Sequence, residues 1–133
     1  MAYDGSAPAQ LALARAAELV GPGDVVSVVN VMPEPGVSAR IEPPEELNRQ
    51  AGILDEAERF LAGRGIDARP IAMIGHPATE ILAAAEREGA DLIVVARRSG
   101  HTAHLLGSVT GRIVRSAGCD VLVVHQDGTV RAP

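Results

Sequence analysis

A doubly wound parallel α/β sheet is the fold class the sequence predicts, and three observations predict it. Short apolar runs recur in one form: "DVVSVVNVM" over 24–32, "DLIVV" over 91–95 and "DVLVV" over 120–124. Each is rich in β-branched residues and barely alternates, as in parallel strands covered on both faces. Helical patterns separate the runs, and strict alternation of strand and helix implies right-handed crossovers. The third observation is length. A chain of 133 residues reads as one domain over 1–133, long enough to bury a core.

The chain opens "MAYDGSAP", a tight turn with only Met1, Ala2 and Tyr3 before it. Three residues span roughly 10 Å, about half an ordinary strand. The first strand is therefore a stub. A helix follows with Ser6 as N-cap, Pro8 in its first turn and an alanine- and leucine-rich body to Leu19. After the run at 24–32 comes "VMPEPGVSARIEPPEE", whose prolines make the stretch of about 32–44 an irregular loop. The second helix starts near Pro44, with Glu45 and Glu46 where the helix dipole favours acids. Leu47, Ala51, Leu54, Ala57 and Leu61 recur at helical spacing, and Gly63 and Gly65 end it.

The run "DARPIAMI" over 67–74 contains Pro70, which lacks a ladder donor and so belongs at a sheet edge. A third helix begins at Pro77, with Ala78, Ile81, Leu82 and Ala85 on one face. His76 before it reads as a helix-entry residue. The last helix begins near Ser108 and is expected to bury Val109, Ile113 and Ala117. Residues from about 126 to 133 read as a flexible tail.

The net charge of −5 argues against non-specific binding to nucleic acid or an anionic membrane, since either needs a basic face. No apolar stretch approaches the roughly 18 residues that span a bilayer, and no secretion signal is visible. Cys119 has no partner for an internal disulfide, which points to a reducing cytoplasm. Aromatic content is 2%, so a planar ligand would have to be held by aliphatic walls and backbone groups.

Ligands of open parallel sheets bind beyond the carboxyl ends of the strands. Here those ends carry Tyr3, Asp4 and Gly5, then Val31 and Met32, then the stretch from Ala96 to Gly107. "LLGSVTGRIV" over 105–114 places a glycine and Ser108 at a helix start. Such a start offers N–H groups of Ser108, Val109 and Thr110, with two hydroxyls, to an anion. The plainer reading is that Ser108 caps the helix and Gly107 permits the turn. His101 and His104 sit three apart without carboxylate or cysteine company, short of a metal site. No Ser/His/Asp set and no paired carboxylates converge on one strand end, so an enzyme is not expected.

"AYDGSAPAQLALARAAEL", "GHPATEILAAAEREGADLIVVARR" and "LLGSVTGRIVRSAGCDVLVV" together resemble the universal stress protein family, in its order and near its spacing, over essentially the whole chain. The resemblance implies a five-stranded parallel sheet of order 3-2-1-4-5, ATP or AMP binding (Mg²⁺ entering with ATP), a role in stress response and dimerisation through the last strand, Asp120, Val121, Leu122, Val123 and Val124. The family's glycine pattern ends in Gly-Ser, matched by Gly107 and Ser108. Its two earlier glycine positions align with Ala96 and Ser99 in a shortened loop. Arg97 and Arg98 then fall in the phosphate loop, as charge for a polyphosphate or as a solvated basic patch. Asp4 corresponds to the acidic residue near ribose and phosphates, or else forms a turn with Ser6 or Ala7. Ala2 and Tyr3 align with backbone flanking the nucleotide, and Val31 with the position whose backbone reads the adenine edge.

Three functions compete at this point. The first is a nucleotide-binding stress-response module, and the second a ligand-free dimeric interaction protein of the same fold. The third is a nucleotide α-hydrolase-type enzyme, which would want an "SGGxDS"-like loop where this chain has "YDGSAP". In the family's strand order the stub would be central. A chain starting at Met1 is then expected to be a destabilised early-start form of one that begins upstream.

Overall fold

The computed structural model describes residues 1–34, 43–97 and 107–125. Much of the expected loop at 32–44, all of the tail at 126–133, and Arg98, Ser99, His101 and His104 lie outside the described residues. Helices and strands alternate as α1 (Ala7–Leu19), β1 (Val26–Met32), α2 (Pro43–Ala62), β2 (Ala68–Ile74), α3 (Pro77–Glu88), β3 (Leu92–Arg97), α4 (Ser108–Ser116) and β4 (Asp120–His125).

The helix boundaries follow from local chemistry. Ser6 caps α1, its hydroxyl accepting from the Ala9 N–H at 3.3 Å. Pro77 opens α3 behind His76, and Gly89 closes it in the left-handed conformation at φ 63°, where a side chain would strain.

All strand pairing among the described residues is parallel. β1 pairs with β2 from Val26↔Ala68 to Met32↔Ile74, and β3 pairs with β4 from Leu92↔Asp120 to Arg97↔His125. Pro70 is tolerated because β2 pairs with β1 alone among the described strands. The expected single five-stranded sheet is instead two two-stranded sheets. The first strand is represented only by the bridge Ala2↔Val29. A stub this short cannot ladder along both neighbours, but its hydrogen bonds do reach both. Tyr3 N–H donates to Val29 O at 2.9 Å, Val29 N–H donates to Met1 O at 2.8 Å, and Ala2 N–H donates to Val94 O at 3.1 Å.

Helices cover both faces. On β1, Val26 and Val28 join Ala9 and Leu13 of α1 and Leu54, Ala57 and Leu61 of α2, while Val29 packs with Ala78, Ile81 and Ala84 of α3 and Ile113 of α4. Alternation of side chains along a strand produces that division. Ala12 and Ala16 of α1 meet Val94 and Val124 in a third cluster.

Two helix faces differ from expectation. Leu47 and Ala51 are exposed in α2, because Gln50 is the residue that turns inward there. In α4 Thr110, Gly111 and Ile113 are buried, with Val109 and Ala117 only partly covered. Small residues let that helix approach the sheet closely. Ile113, with no exposed surface, contributes about 1.5–3 kcal/mol to holding α4 in place.

Candidate functional site

The carboxyl ends of the stub, β1 and β3 bring together the turn after Tyr3, the Asn30–Met32 segment and Ala96–Arg97. The start of α4 is tied to the same end through the hydroxyl of Thr110, which donates to Ala96 O at 3.4 Å. Thr110 is buried, so its hydroxyl acts as a strut between helix and strand. It is not a second hydroxyl offered to an anion, as the sequence suggested.

The helix start itself is capped by glycine. Gly107 is the N-cap of α4 at φ −58°, with no side-chain cap, and Ser108 is the first helical residue. The plainer expectation, Ser108 as cap, is therefore corrected. A glycine cap supplies no side-chain acceptor to the N–H groups of Ser108, Val109 and Thr110, which have the positive end of the helix dipole behind them. No described atom lies within 4 Å of where a Cβ on Gly107 would stand. Ser108 is exposed and Val109 half-buried.

The turn at Asp4 is built locally. The Asp4 carboxylate accepts from both the backbone N–H of Ser6, at 2.9 Å, and its hydroxyl, at 2.5 Å. Gly5 holds φ 81°, a conformation costing other residues roughly 1–2 kcal/mol. Of the two readings of Asp4, the turn is the one the geometry displays. Tyr3 is a core residue, 3% exposed, whose hydroxyl donates to Glu56 Oε1 at 2.5 Å. Burial, reinforced by that carboxylate, pushes its phenol well above the ordinary value. Only the Tyr3 backbone is at the strand end, and Tyr3 O accepts from the Asn30 side-chain amide at 2.8 Å.

Arg97 is not in a loop. It is the last residue of β3, paired with His125, and its guanidinium lies 3.2 Å from His125 Nδ1. Ala96 precedes it inside the strand, and Val31 sits half-buried in β1 opposite Met73. Ala2 lies between β1 and β3.

Two residues that sequence reasoning missed organise this end of the molecule. Gln50 is buried and its amide donates to Asn30 O at 3.0 Å and Met73 O at 2.9 Å, clamping β1 to β2. Asn30 continues the chain of contacts to Tyr3. The available signal was a lone amide inside the apolar run of β1 and another among the apolar positions of α2.

The universal stress protein family is matched over residues 1–125. The chain belongs to that family. Its sequence is 40% identical over 75 residues to universal stress protein YxiE of Bacillus subtilis, covering 55% of this chain and 51% of that protein. It is 35% identical over 107 residues to universal stress protein MJ0531 of Methanocaldococcus jannaschii, covering 76% and 63%. The matches thus span between half and two thirds of these relatives' lengths.

Among solved structures, a universal stress protein in complex with cAMP superposes with a TM-score of 0.76 at 25% identity, over 95% of this chain and 94% of that one. A universal stress protein family member from Burkholderia pseudomallei gives 0.71 at 28% identity, over 92% and 91%. The α/β architecture of alternating helices and parallel strands is that of the family.

Proposed function

We propose that this universal stress protein domain is an adenine-nucleotide-binding regulatory module of the stress response, which binds ATP or AMP without turning it over. The observation that carries the reading is the start of α4. There, three backbone N–H groups, the Ser108 hydroxyl and a glycine cap with no described atom beside its Cα form a cradle suited to phosphate. The cAMP bound by a structural relative supports adenine nucleotides as the ligand class.

In this reading the backbone of Ala2, Tyr3 and Val31 flanks the base, and the turn at Asp4 borders the ribose. Gly107, Ser108 and Val109 take the phosphates, with Ala96, near the end of β3, and Ser99 aligned with the family's two earlier glycine positions. Arg97, at the end of β3, supplies positive charge nearby. Thr110 contributes its N–H and holds the helix in place. Mg²⁺ enters with ATP. We read the stub's bonds to Val29 and Val94 as the centre of a five-stranded order, 3-2-1-4-5, which puts the nucleotide where that order reverses.

Calorimetric titration with ATP and Mg²⁺, and with AMP, tests this. Saturable binding is expected, and Gly107→Val should abolish it by filling the space beside the cap. No heat and no thermal shift at millimolar nucleotide would overturn it.

A specific observation supports self-association as well. β4 has β3 as its one partner among the described strands, and its Val121, Leu122 and Val123 are half-exposed. We infer that two chains pair through this strand, whether or not nucleotide is bound. A cytoplasmic location fits a chain in which no described helix is long and apolar enough to cross a membrane.

A further inference from the structure

The pairing of the stub with β1 stops just where a parallel ladder would continue. Tyr3 N–H donates to Val29 O and Val29 N–H donates to Met1 O, which makes the isolated bridge Ala2↔Val29. In a parallel ladder, the N–H and C=O of alternate residues face the same neighbour. Val31, two residues on, therefore directs its N–H and C=O toward the line of the first strand. The next rung would join Val31 N–H to Tyr3 O, and the one after it Gly5 N–H to Val31 O. Among the described residues neither rung is formed.

Two features account for this. Gly5, at φ 81°, turns the chain out of the strand direction. Tyr3 O is already engaged, because it accepts at 2.8 Å from the side-chain amide of Asn30, the residue just ahead of Val31. Asn30 is held from two sides. Its own carbonyl accepts from Gln50 of α2 at 3.0 Å, and the same Gln50 amide reaches Met73 O of β2 at 2.9 Å. Tyr3 in turn is fixed to α2 through its hydroxyl, which donates to Glu56 Oε1 at 2.5 Å.

An amide at this place needs a reason. Asn30 is 6% exposed within a run of valines, and burying a polar side chain costs free energy unless it is bonded. A valine would fill the position without that cost and would let the ladder run on to Val31. Asn30 instead takes the Tyr3 carbonyl out of the ladder.

Building on the nucleotide reading above, in which the Val31 backbone flanks the base, we propose that Asn30 is the positioning residue that sets the preference for adenine. By capping Tyr3 O it keeps Val31 N–H out of the ladder and directed, beside Val31 C=O, at the base. That is a donor next to an acceptor. Adenine presents the complement, with N1 accepting and the 6-amino group donating. Hypoxanthine presents the reverse, an N1–H donor and an O6 acceptor, so that like faces like. Asn30 acts through Tyr3 and Val31, and Gln50 acts behind it by holding Asn30 in place.

Calorimetric titration of the 133-residue chain and of Asn30→Leu, each with AMP and with IMP, tests the proposal. The parent is expected to bind AMP more tightly than IMP by about tenfold or more, as a site that hydrogen-bonds its ligand discriminates. Asn30→Leu should bring AMP affinity down to that of IMP, leave IMP nearly unchanged, and keep the circular dichroism of the parent. Amide exchange in the parent gives a readout that does not depend on the variant folding. AMP should slow exchange at Val31 and IMP should not, with Val29 protected throughout. Equal loss of AMP and IMP by Asn30→Leu would make Asn30 a fold residue only and overturn the proposal. An unchanged ratio would overturn it too, as would a Val31 amide whose exchange AMP does not slow. Those three outcomes leave nucleotide binding by the parent standing. No heat with either nucleotide in the parent overturns the nucleotide reading instead, and this inference falls with it.

Discussion

Gln50 shows how one buried amide fixes the end of a sheet that backbone pairing alone would leave to fray. Its amide reaches the carbonyls of Asn30 and Met73, one on each strand of the β1–β2 pair. Replacing it by leucine fills similar space but leaves those acceptors without their donor. Gln50→Leu is expected to lower unfolding free energy by about 1–3 kcal/mol, seen as a lower urea midpoint with unchanged slope. Gly107 is the opposite case. Its φ of −58° is open to any residue, and no described atom would touch a Cβ there. Gly107→Val should therefore cost no more than about 1 kcal/mol, the loss of a favourable N-cap residue, while removing nucleotide binding. A Gly107→Val protein that melts much lower than the parent would mean that the glycine serves the fold, not the ligand.

At the scale of elements, β4 carries the sharpest prediction. A half-apolar strand with one described partner and no lysine or proline is a template for pairing. Val123→Lys should convert a dimer to monomers in light scattering, with circular dichroism reporting that the fold survives. A monomeric parent chain would refute edge pairing. The same elements show what sequence makes legible. β1, β3 and β4 announce themselves because each is a short run rich in apolar β-branched residues, and α1 and α3 because Pro8 and Pro77 act within one turn. The inward turn of Gln50, the exposure of Leu47 and the place of Arg97 inside β3 were not legible. Each depends on a partner from a distant element: Met73 for Gln50, and His125 for Arg97. At the candidate site the start of a helix could be read from "GSVTG", but not that Gly107 in place of Ser108 is its cap, and the engagement of Thr110 with Ala96 O required the packing of α4 against β3.

At the scale of the molecule, the buried Met1 amine lies between the two sheets. It donates to Ser27 of one sheet, while the next residue donates to Val94 of the other. Burial lowers its pKa from 8.0 to about 6. Between those values the unfolded chain binds more protons than the folded one, so stability rises with pH across that window. Below about pH 6 both states are protonated, and the full cost of a buried cation is present. Above about pH 8 both are neutral and the cost is gone. A shift of about two units corresponds to roughly 2–3 kcal/mol, reduced to the extent that the Ser27 carbonyl favours the charged form. The melting temperature of the free-amine chain should therefore climb between pH 5.5 and 8.5 relative to that of a chain acetylated at Met1. Acetylation keeps an N–H for Ser27 but removes the charge, so the difference between the two curves isolates this group from the histidines. Parallel curves across that range would show that water reaches the amine and that the junction between the sheets is open at this point.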